Sequence, residues 1–358
     1  MKTRTHNHAD KERQIVAVDL FCGAGGLTAG LSNAGISVLA GYDLDEKCRF
    51  PYEHNNSNSK FYLKSVSDVS GEEVSALFGE AKYTLLSGCA PCQTFSAINP
   101  KAGDDDERWW LLLDFARIVN EVLPSFVTME NVPGLEKQEV FKQFLDVLAQ
   151  NNYCVDYQVI NCSDYGIPQN RRRLVLMASR VGEIALPNPS EISDEKKTVR
   201  DTIKDLCCLD AGEASVSDSL HYAKDLMDIN LQRIRASKPG GSWRDWEEKL
   251  KCECHKRTSG NTYTAVYGRM EWDKPSPTIT TQFYNYGSGR FGHPDQDRAL
   301  SFREGALLQT FPPDYEFFEA DAKIGNHALG DLIGNAVPVD LGKTIGSAFV
   351  DLIEHHVN

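Results

Sequence analysis

Residues 15–26 read Ile-Val-Ala-Val-Asp-Leu-Phe-Cys-Gly-Ala-Gly-Gly, an apolar run that stops in a glycine turn, and a helix-like stretch from Leu27 to Ala34 follows. A short apolar run bounded by glycine is a buried strand, and strand, glycine turn, helix is the repeating unit of an α/β sheet. The order recurs downstream. Ser37–Tyr42 ends in Asp43, Tyr83–Ser87 in Gly88 and Phe126–Met129 in Glu130-Asn131, with helical spacing at Glu72–Phe78, Trp110–Val122 and Val140–Gln150. Strands alternating with helices predict a parallel sheet covered on both faces, with ligands at the carboxyl ends of the strands.

Tyr157–Asn161 and Arg173–Ala178 complete this region, and Leu186-Pro-Asn-Pro-Ser190 breaks the pattern, so a boundary is expected near 185. From there to about 320 the chain is rich in loop signals such as Pro239-Gly-Gly241 and Pro275-Ser-Pro277, which predicts a smaller irregular domain over 186–324. Helical spacing returns at Leu341–Ile353, so residues 325–358 are expected to complete the domain formed by 1–185.

The chain has 358 residues, 41% hydrophobic and 25% charged, a globular composition that excludes a mainly disordered or fibrous protein. No stretch approaches the roughly 18 apolar residues of a membrane span, and Met1 to Gln14 lacks the apolar centre of a signal peptide. A cytoplasmic location and no membrane partner are expected, and the ten cysteines read as mostly reduced thiols. The formal charge of −13 argues at first against a polyanionic partner.

The glycines of Asp19–Gly26 let the backbone turn sharply and let a ligand approach it. No Gly-Lys-Ser/Thr follows, so this is not a Walker loop. Asp43, at the end of the second strand, is placed to accept from ribose hydroxyls, and Asp68 lies near the end of the third, a set that suits an adenosine ligand. Gly88-Cys-Ala-Pro-Cys-Gln93 has three readings: a redox dithiol, half of a zinc site with Cys252, Cys254 and His255, or a single nucleophile, Cys92, with Cys89 as packing. The redox reading lacks the expected order of elements. The zinc reading spans about 160 residues, poor spacing for a structural site, so no metal is expected. Glu130 follows an apolar strand and can share a proton with a substrate. Alternate residues of an extended segment point the same way, so Arg171 and Arg173 of Gln169-Asn-Arg-Arg-Arg173 are expected to converge on one ligand.

These segments resemble the ordered motifs of the DNA (cytosine-5) methyltransferases, of the kind found in prokaryotic restriction-modification systems. The resemblance covers nearly the whole chain: Asp19–Gly26, Pro91-Cys92-Gln93, Glu130-Asn131-Val132, Gln169-x-Arg171-x-Arg173, Arg298-x-Leu300-Ser-x-Arg303-Glu304 with Leu308-Gln-Thr-Phe-Pro312, and Gly334-Asn335-Ala336-Val337-Pro338. It implies a Rossmann-like fold and an S-adenosyl-L-methionine pocket shaped by Phe21, Gly23, Gly25 and Gly26. Asp43 would sit on the ribose and Asp68 on the adenine amine, with Pro91, Leu111, Asn335 and Val337 completing the pocket. It further implies Cys92 as nucleophile, Glu130 at cytosine N3, and Arg173 at O2 with Arg171 beside it, while Arg298, Arg303 and Glu304 organise the small domain. Asp43 stands where the family often has Glu, Ala336 where Ser is frequent, and Trp109 where a small residue is usual.

The implied reaction needs these residue types. Thiolate attack at C6 breaks the ring's aromaticity and makes C5 enamine-like, and a carboxyl group at N3 stabilises the added electron density. The target atoms lie inside a stacked duplex, so the base must be flipped out. The implied partners are double-stranded DNA and a restriction endonuclease acting on the same sites, with the enzyme itself a monomer. The tRNA-methylating branch of the fold would share the motifs, but the length between Arg173 and Arg298 favours DNA. A non-catalytic DNA-binding relative would lack Cys92, Glu130 or Arg173, and all three are present.

Within the region expected to read DNA, Trp243, Arg244, Lys256, Arg257, Tyr263, Tyr267, Arg269 and Arg290 are candidate phosphate and base contacts. Residues 231–310 hold 13 basic and 9 acidic side chains, a net +4, which leaves −17 for the rest. The acidity therefore lies outside the proposed reader, and weak, strongly salt-dependent binding to non-specific DNA is expected.

Overall fold

The computed structural model describes residues 14–91, 110–192, 195–257 and 262–356, which fall into two compact units. The first comprises Met1–Asn161, Arg172–Ile192 and Val337–Asn358; the second comprises Cys162–Arg171 and Ser193–Ala336.

In the first unit the strands are β1 (Ile15–Leu20), β2 (Ser37–Asp43), β3 (Lys60–Leu63), β4 (Tyr83–Gly88), β5 (Phe126–Asn131), β6 (Cys154–Asn161) and β7 (Arg172–Ser179). They form one sheet in the order β3-β2-β1-β4-β5-β7-β6. The first five are parallel, as the alternation predicts; β7 runs antiparallel to both β5 and β6, so the sheet is mixed. A parallel return needs a crossover of a dozen or more residues, usually a helix. Only Cys162–Arg171 joins β6 to β7, and it belongs to the second unit, where Cys162 N–H donates to the Arg171 carbonyl at 2.8 Å and Gln169-Asn170 pairs with Ser276-Pro277.

In the first unit the longer helices are α1 (Gly26–Asn33), α2 (Arg49–Asn55), α3 (Gly71–Phe78), α4 (Trp110–Val122) and α5 (Glu139–Gln150), followed by the last helix, Val339–His356. In α4 the buried residues Leu112, Phe115, Ala116 and Val119 recur at helical spacing and face the sheet, with Phe115 packed on Phe144 of α5 at 5.3 Å between ring centroids. Among the described residues no helix is long and apolar enough to cross a membrane.

The second unit holds short helices, 3₁₀ turns and a two-stranded ladder, and relies on buried polar contacts for much of its order. Arg298, fully buried, makes a two-pronged contact to Glu304 at 2.7 Å on each arm, and Arg303 pairs with Asp218 at 2.6 Å. These contacts are the organising role expected of Arg298, Arg303 and Glu304.

One close approach fixes the packing of α1 on the last helix: a Cβ built on Gly30 would lie 2.3 Å from the Val339 carbonyl oxygen and 2.7 Å from Gly342 Cα. Both obstacles are backbone and cannot rotate away. Gly30→Ala should lower the unfolding free energy by about 1–3 kcal/mol, read as a lower urea midpoint, and an unchanged midpoint would contradict this packing.

Candidate active site

The glycine loop leaves β1 through three left-handed residues, Phe21 (φ +57°), Gly23 (+53°) and Gly25 (+89°). A Cβ added at Gly23 would meet nothing within 4 Å, so the loop faces open space, and α1 begins at Gly26 with no side-chain cap and no acid in its first turn. The N-terminal N–H groups of α1 can therefore receive an anionic group. Gly23 N–H donates to Asp43 Oδ2 at 2.9 Å, and Asp45 N–H donates to Asp43 Oδ1 at 3.0 Å. Asp43 thus ties the loop to the end of β2, and the carboxylate keeps acceptor capacity for a ligand hydroxyl. Asp68, exposed, closes a 3₁₀ turn just after β3, and Leu111 is half-buried at the start of α4. An open glycine cradle flanked by acids at the ends of neighbouring strands fits a nucleoside-bearing ligand such as S-adenosyl-L-methionine.

Beneath the loop sits a buried acid. Asp19 accepts from Thr28 Oγ1 at 2.7 Å and Ser87 Oγ at 3.0 Å, which links β1 to α1 and β4. Burial raises its pKa from 3.8 to about 6 against the opposing pull of those two hydroxyls.

The second cluster forms where the sheet changes direction. Glu130, buried at the end of β5, lies 2.8 Å from Arg173 Nε on β7. The contact is an ion pair without hydrogen-bond alignment, and Glu130 Oε1 has no hydrogen-bond partner among the described residues. Next to it Asn131 Nδ2 donates to the Ala90 carbonyl at 3.1 Å while its Oδ1 accepts from Val132 N–H, which fixes the chain entering Pro91 against β5. The Cys89 thiol adjoins Glu130; burial first, then the Glu130 charge, hold it well above its ordinary pKa. Such a thiol stays protonated and is a poor nucleophile. Cys92, and Trp109 with it, lies outside the described residues.

The expected convergence of Arg171 with Arg173 on one ligand is corrected. Arg171, 2% exposed in the second unit, donates to the carbonyls of Ile279 and Ala336, both at 3.1 Å, and of Gly334 at 3.4 Å. Buried carbonyls that need donors occupy its guanidinium, so it positions backbone. Gln309 Nε2 donates to the Ile333 and Ala336 carbonyls at 2.8 and 3.2 Å, and Gln169 bridges Gln309 Oε1 at 2.8 Å to Ile279 N–H, also at 2.8 Å. Two motifs thereby grip the Gly334–Ala336 turn, which belongs to a third. Sequence reasoning assigned Gln169, Gln309 and Asn131 no role; their signal was a side-chain amide inside a motif of otherwise apolar or charged residues. Of the four residues expected to complete the cofactor pocket, Pro91 is exposed and Leu111 half-buried in the first unit, Asn335 is an exposed residue of the second unit and Val337 a buried residue of the first.

Several proposed DNA contacts are likewise used internally. Arg269, 5% exposed, donates to the carbonyls of Ile234, Ser237, His293 and Gln296 and pairs with Asp297. Arg290 donates to the Gly241 carbonyl at 2.5 Å, Trp243 is buried with its Nε1 on the Tyr263 carbonyl, and Tyr267 is half-buried among rings. Arg244, Lys256, Arg257 and Tyr263 remain exposed.

A glycine loop with flanking acids on a sheet of this order, together with a carboxylate and guanidinium at the end of the fifth strand, defines a Rossmann-like methyltransferase. The sequence profile of the C-5 cytosine-specific DNA methylases matches residues 15–351, and the chain belongs to that family. It is a DNA (cytosine-5) methyltransferase that uses S-adenosyl-L-methionine. It is 48% identical to the Type II methylase M.HgiDII of Herpetosiphon aurantiacus, over 94% of this chain and 95% of the relative. It is 31% identical to the Type II methyltransferase M1.BsuMI of Bacillus subtilis, over 95% and 81%. In fold it is similar to the Dnmt2 methyltransferase of S. pombe, with a TM-score of 0.65 at 19% identity, over 95% of this chain and 98% of that one.

The buried acid makes a pH prediction. Because the folded-state pKa of Asp19 lies above 3.8, the native state binds its proton more tightly than the unfolded chain, and stability falls as pH rises from about 4 to about 6. Asp19→Asn removes that slope. The fall in unfolding free energy between pH 4 and pH 7 should shrink by about 2 kcal/mol in urea titrations, and a variant with the parent's slope would contradict an ionisable acid buried at this point.

Proposed function

We propose that this enzyme methylates C5 of one cytosine within a short, specific sequence of double-stranded DNA, with Cys92 attacking C6, Glu130 engaging N3 and Arg173 engaging O2. The observation that carries the reading is the Glu130–Arg173 pair, a buried carboxylate whose Oε1 lies in an ion pair with a guanidinium but makes no hydrogen bond among the described residues. Cytosine presents N3 and O2 side by side on one edge, and a neighbouring carboxyl and guanidinium match that edge. Cys92 is taken as the attacking sulfur from the family motif Pro91-Cys92-Gln93, and the raised pKa of the buried Cys89 thiol accords with Cys89 as packing.

S-adenosyl-L-methionine supplies an electrophilic sulfonium methyl group. Phe21, Gly23, Gly25 and Gly26 would shape its pocket, Asp43 would hold the ribose, Asp68 the adenine amine, and Pro91, Leu111, Asn335 and Val337 the remainder. Thiolate attack by Cys92 forms the sulfur–C6 bond and places negative charge on the ring, where Glu130 meets it at N3 by hydrogen bonding or proton sharing. After methyl transfer the C5 proton leaves, the sulfur–C6 bond breaks, and aromaticity returns. Extrusion of the target base costs a few kcal/mol of unstacking. We assign sequence reading to residues 186–324, with Arg244, Lys256, Arg257 and Tyr263 as its exposed candidate contacts. The Type II relatives support a restriction endonuclease of the same specificity as functional partner, and we infer a monomer acting in the cytoplasm.

Base-resolution mapping of cytosine methylation after expression in a methylation-free host should show 5-methylcytosine at one short duplex sequence. Unmethylated DNA, or methylation confined to RNA, would sink the proposal. Cys92→Ser should abolish methyl transfer with cofactor binding unchanged by calorimetry, and wild-type activity there would exclude the covalent route. Glu130→Gln should lower kcat by about 10²–10³ with unchanged cofactor affinity, and parental kcat would remove Glu130 from the chemistry.

A further inference from the structure

We propose that Cys252, Cys254 and His255 form a metal site in the second unit that takes a thiophilic divalent cation, zinc by its donor set. The sequence reading discounted these residues because it joined them to Cys89 and Cys92; the structure brings the three together by themselves. A 3₁₀ turn, Glu253–Lys256, is closed by His255 N–H donating to the Cys252 carbonyl at 2.9 Å. This turn gathers two sulfurs and one imidazole nitrogen to within 4.8 Å of one another.

A second, independent observation points to a ligand. His255 is 6% exposed, and its Nδ1 is buried with no hydrogen-bond partner among the described residues. A buried imidazole nitrogen left unpaired costs about 1–3 kcal/mol, so a fold that retains one has a use for it. The ring cannot easily swing to solvent: Trp243 stacks on it at 4.3 Å, and Tyr267 meets it edge-on at 5.9 Å. Cys254 is exposed and leaves an entry path.

The donor set chooses the metal. Two thiolates and a neutral imidazole are soft and borderline ligands that suit zinc and disfavour magnesium and calcium. Tetrahedral zinc, with Zn–S about 2.3 Å and Zn–N about 2.0 Å, needs donor atoms roughly 3.5–3.8 Å apart, so the cluster closes by about 1 Å at most. Binding releases the two thiol protons to solvent, and the two thiolates balance the cation's charge. Among the described residues no fourth Cys, His, Asp or Glu joins the group, and solvent takes the remaining position.

The site's place in the fold gives it a task. Trp243, Trp246 and Leu250 form a small buried cluster beside it, in a segment whose regular structure consists of 3₁₀ turns. A metal joining Cys252 to His255 would fix that segment, and with it the exposed Lys256 and Arg257. It would order part of the proposed DNA reader without touching the reacting base.

The test uses the full-length enzyme, reduced, freed of metal and titrated with Co²⁺. One Co²⁺ per chain should bind with thiolate-to-cobalt charge-transfer absorption in the near ultraviolet. The band should vanish in Cys252→Ser/Cys254→Ser and persist in the control Cys207→Ser/Cys208→Ser, which removes two exposed thiols of the same unit. If the double variant does not fold, peptide mass spectrometry on the parent enzyme reads the same point: Zn²⁺ should protect Cys252 and Cys254, but not Cys207 and Cys208, from alkylation. No charge-transfer band, a band that survives loss of Cys252 and Cys254, equal alkylation with and without Zn²⁺, or a Cys252–Cys254 disulfide in the enzyme as isolated would overturn the proposal.

Discussion

The Glu130–Arg173 contact is the constraint on which the proposed catalytic arrangement rests. Two opposite charges 2.8 Å apart, with side chains 7% and 14% exposed, are a costly thing to build. Desolvation of such a pair commonly cancels its attraction, so stability alone does not explain it. The pair exists because β7 runs antiparallel to β5, with Glu130 opposite Val175 and Asn131 opposite Leu174, so that Arg173 emerges next to the end of β5. A fully parallel sheet would send the arginine out at the other end. The excursion Cys162–Arg171, stitched into the second unit, is what permits that reversal.

Around this pair the motifs divide into those that can meet a ligand and those that hold backbone. Gly23 and Asp43 do both, since the carboxylate proposed to hold the ribose also secures the loop. Asn131 ties the approach to Pro91 onto β5, and Asp19 clamps β1, α1 and β4 from below. In the second unit Arg171, Gln169 and Gln309 serve carbonyls, and Arg298 and Glu304 serve each other. The same economy revises the charge argument: Arg269 and Arg290 count toward the local +4 but spend their donors on the protein. The cations offered to a polyanion are the exposed ones, such as Arg244, Lys256 and Arg257.

The first unit was legible because its signals are local. The run Ile15–Leu20 is strand because its side chains are buried on both faces, and Trp110–Val122 is helix because its apolar residues recur every three or four positions. Periodicity carries no direction, however, so the antiparallel β7 could not be read from its apolar run. The second unit lacks periodicity because tertiary hydrogen bonds, more than regular ladders, order it. Alternation along Arg171–Arg173 suggested a shared target, but it could not show that Arg171 belongs to another unit and meets carbonyls more than a hundred residues away. Cys252, Cys254 and His255 were visible as residues; what was hidden was that a single 3₁₀ turn suffices to gather them.

The central claim is that one particular sulfur, Cys92, attacks the base that Glu130 and Arg173 hold. Duplex DNA carrying 5-fluorocytosine at the mapped target tests it directly, because fluorine cannot leave as the C5 proton does and the covalent complex is trapped. With cofactor present, digestion and mass spectrometry should find the nucleotide adduct on the peptide containing Cys92, attached to that residue. No adduct, or an adduct on Cys89, would contradict the account.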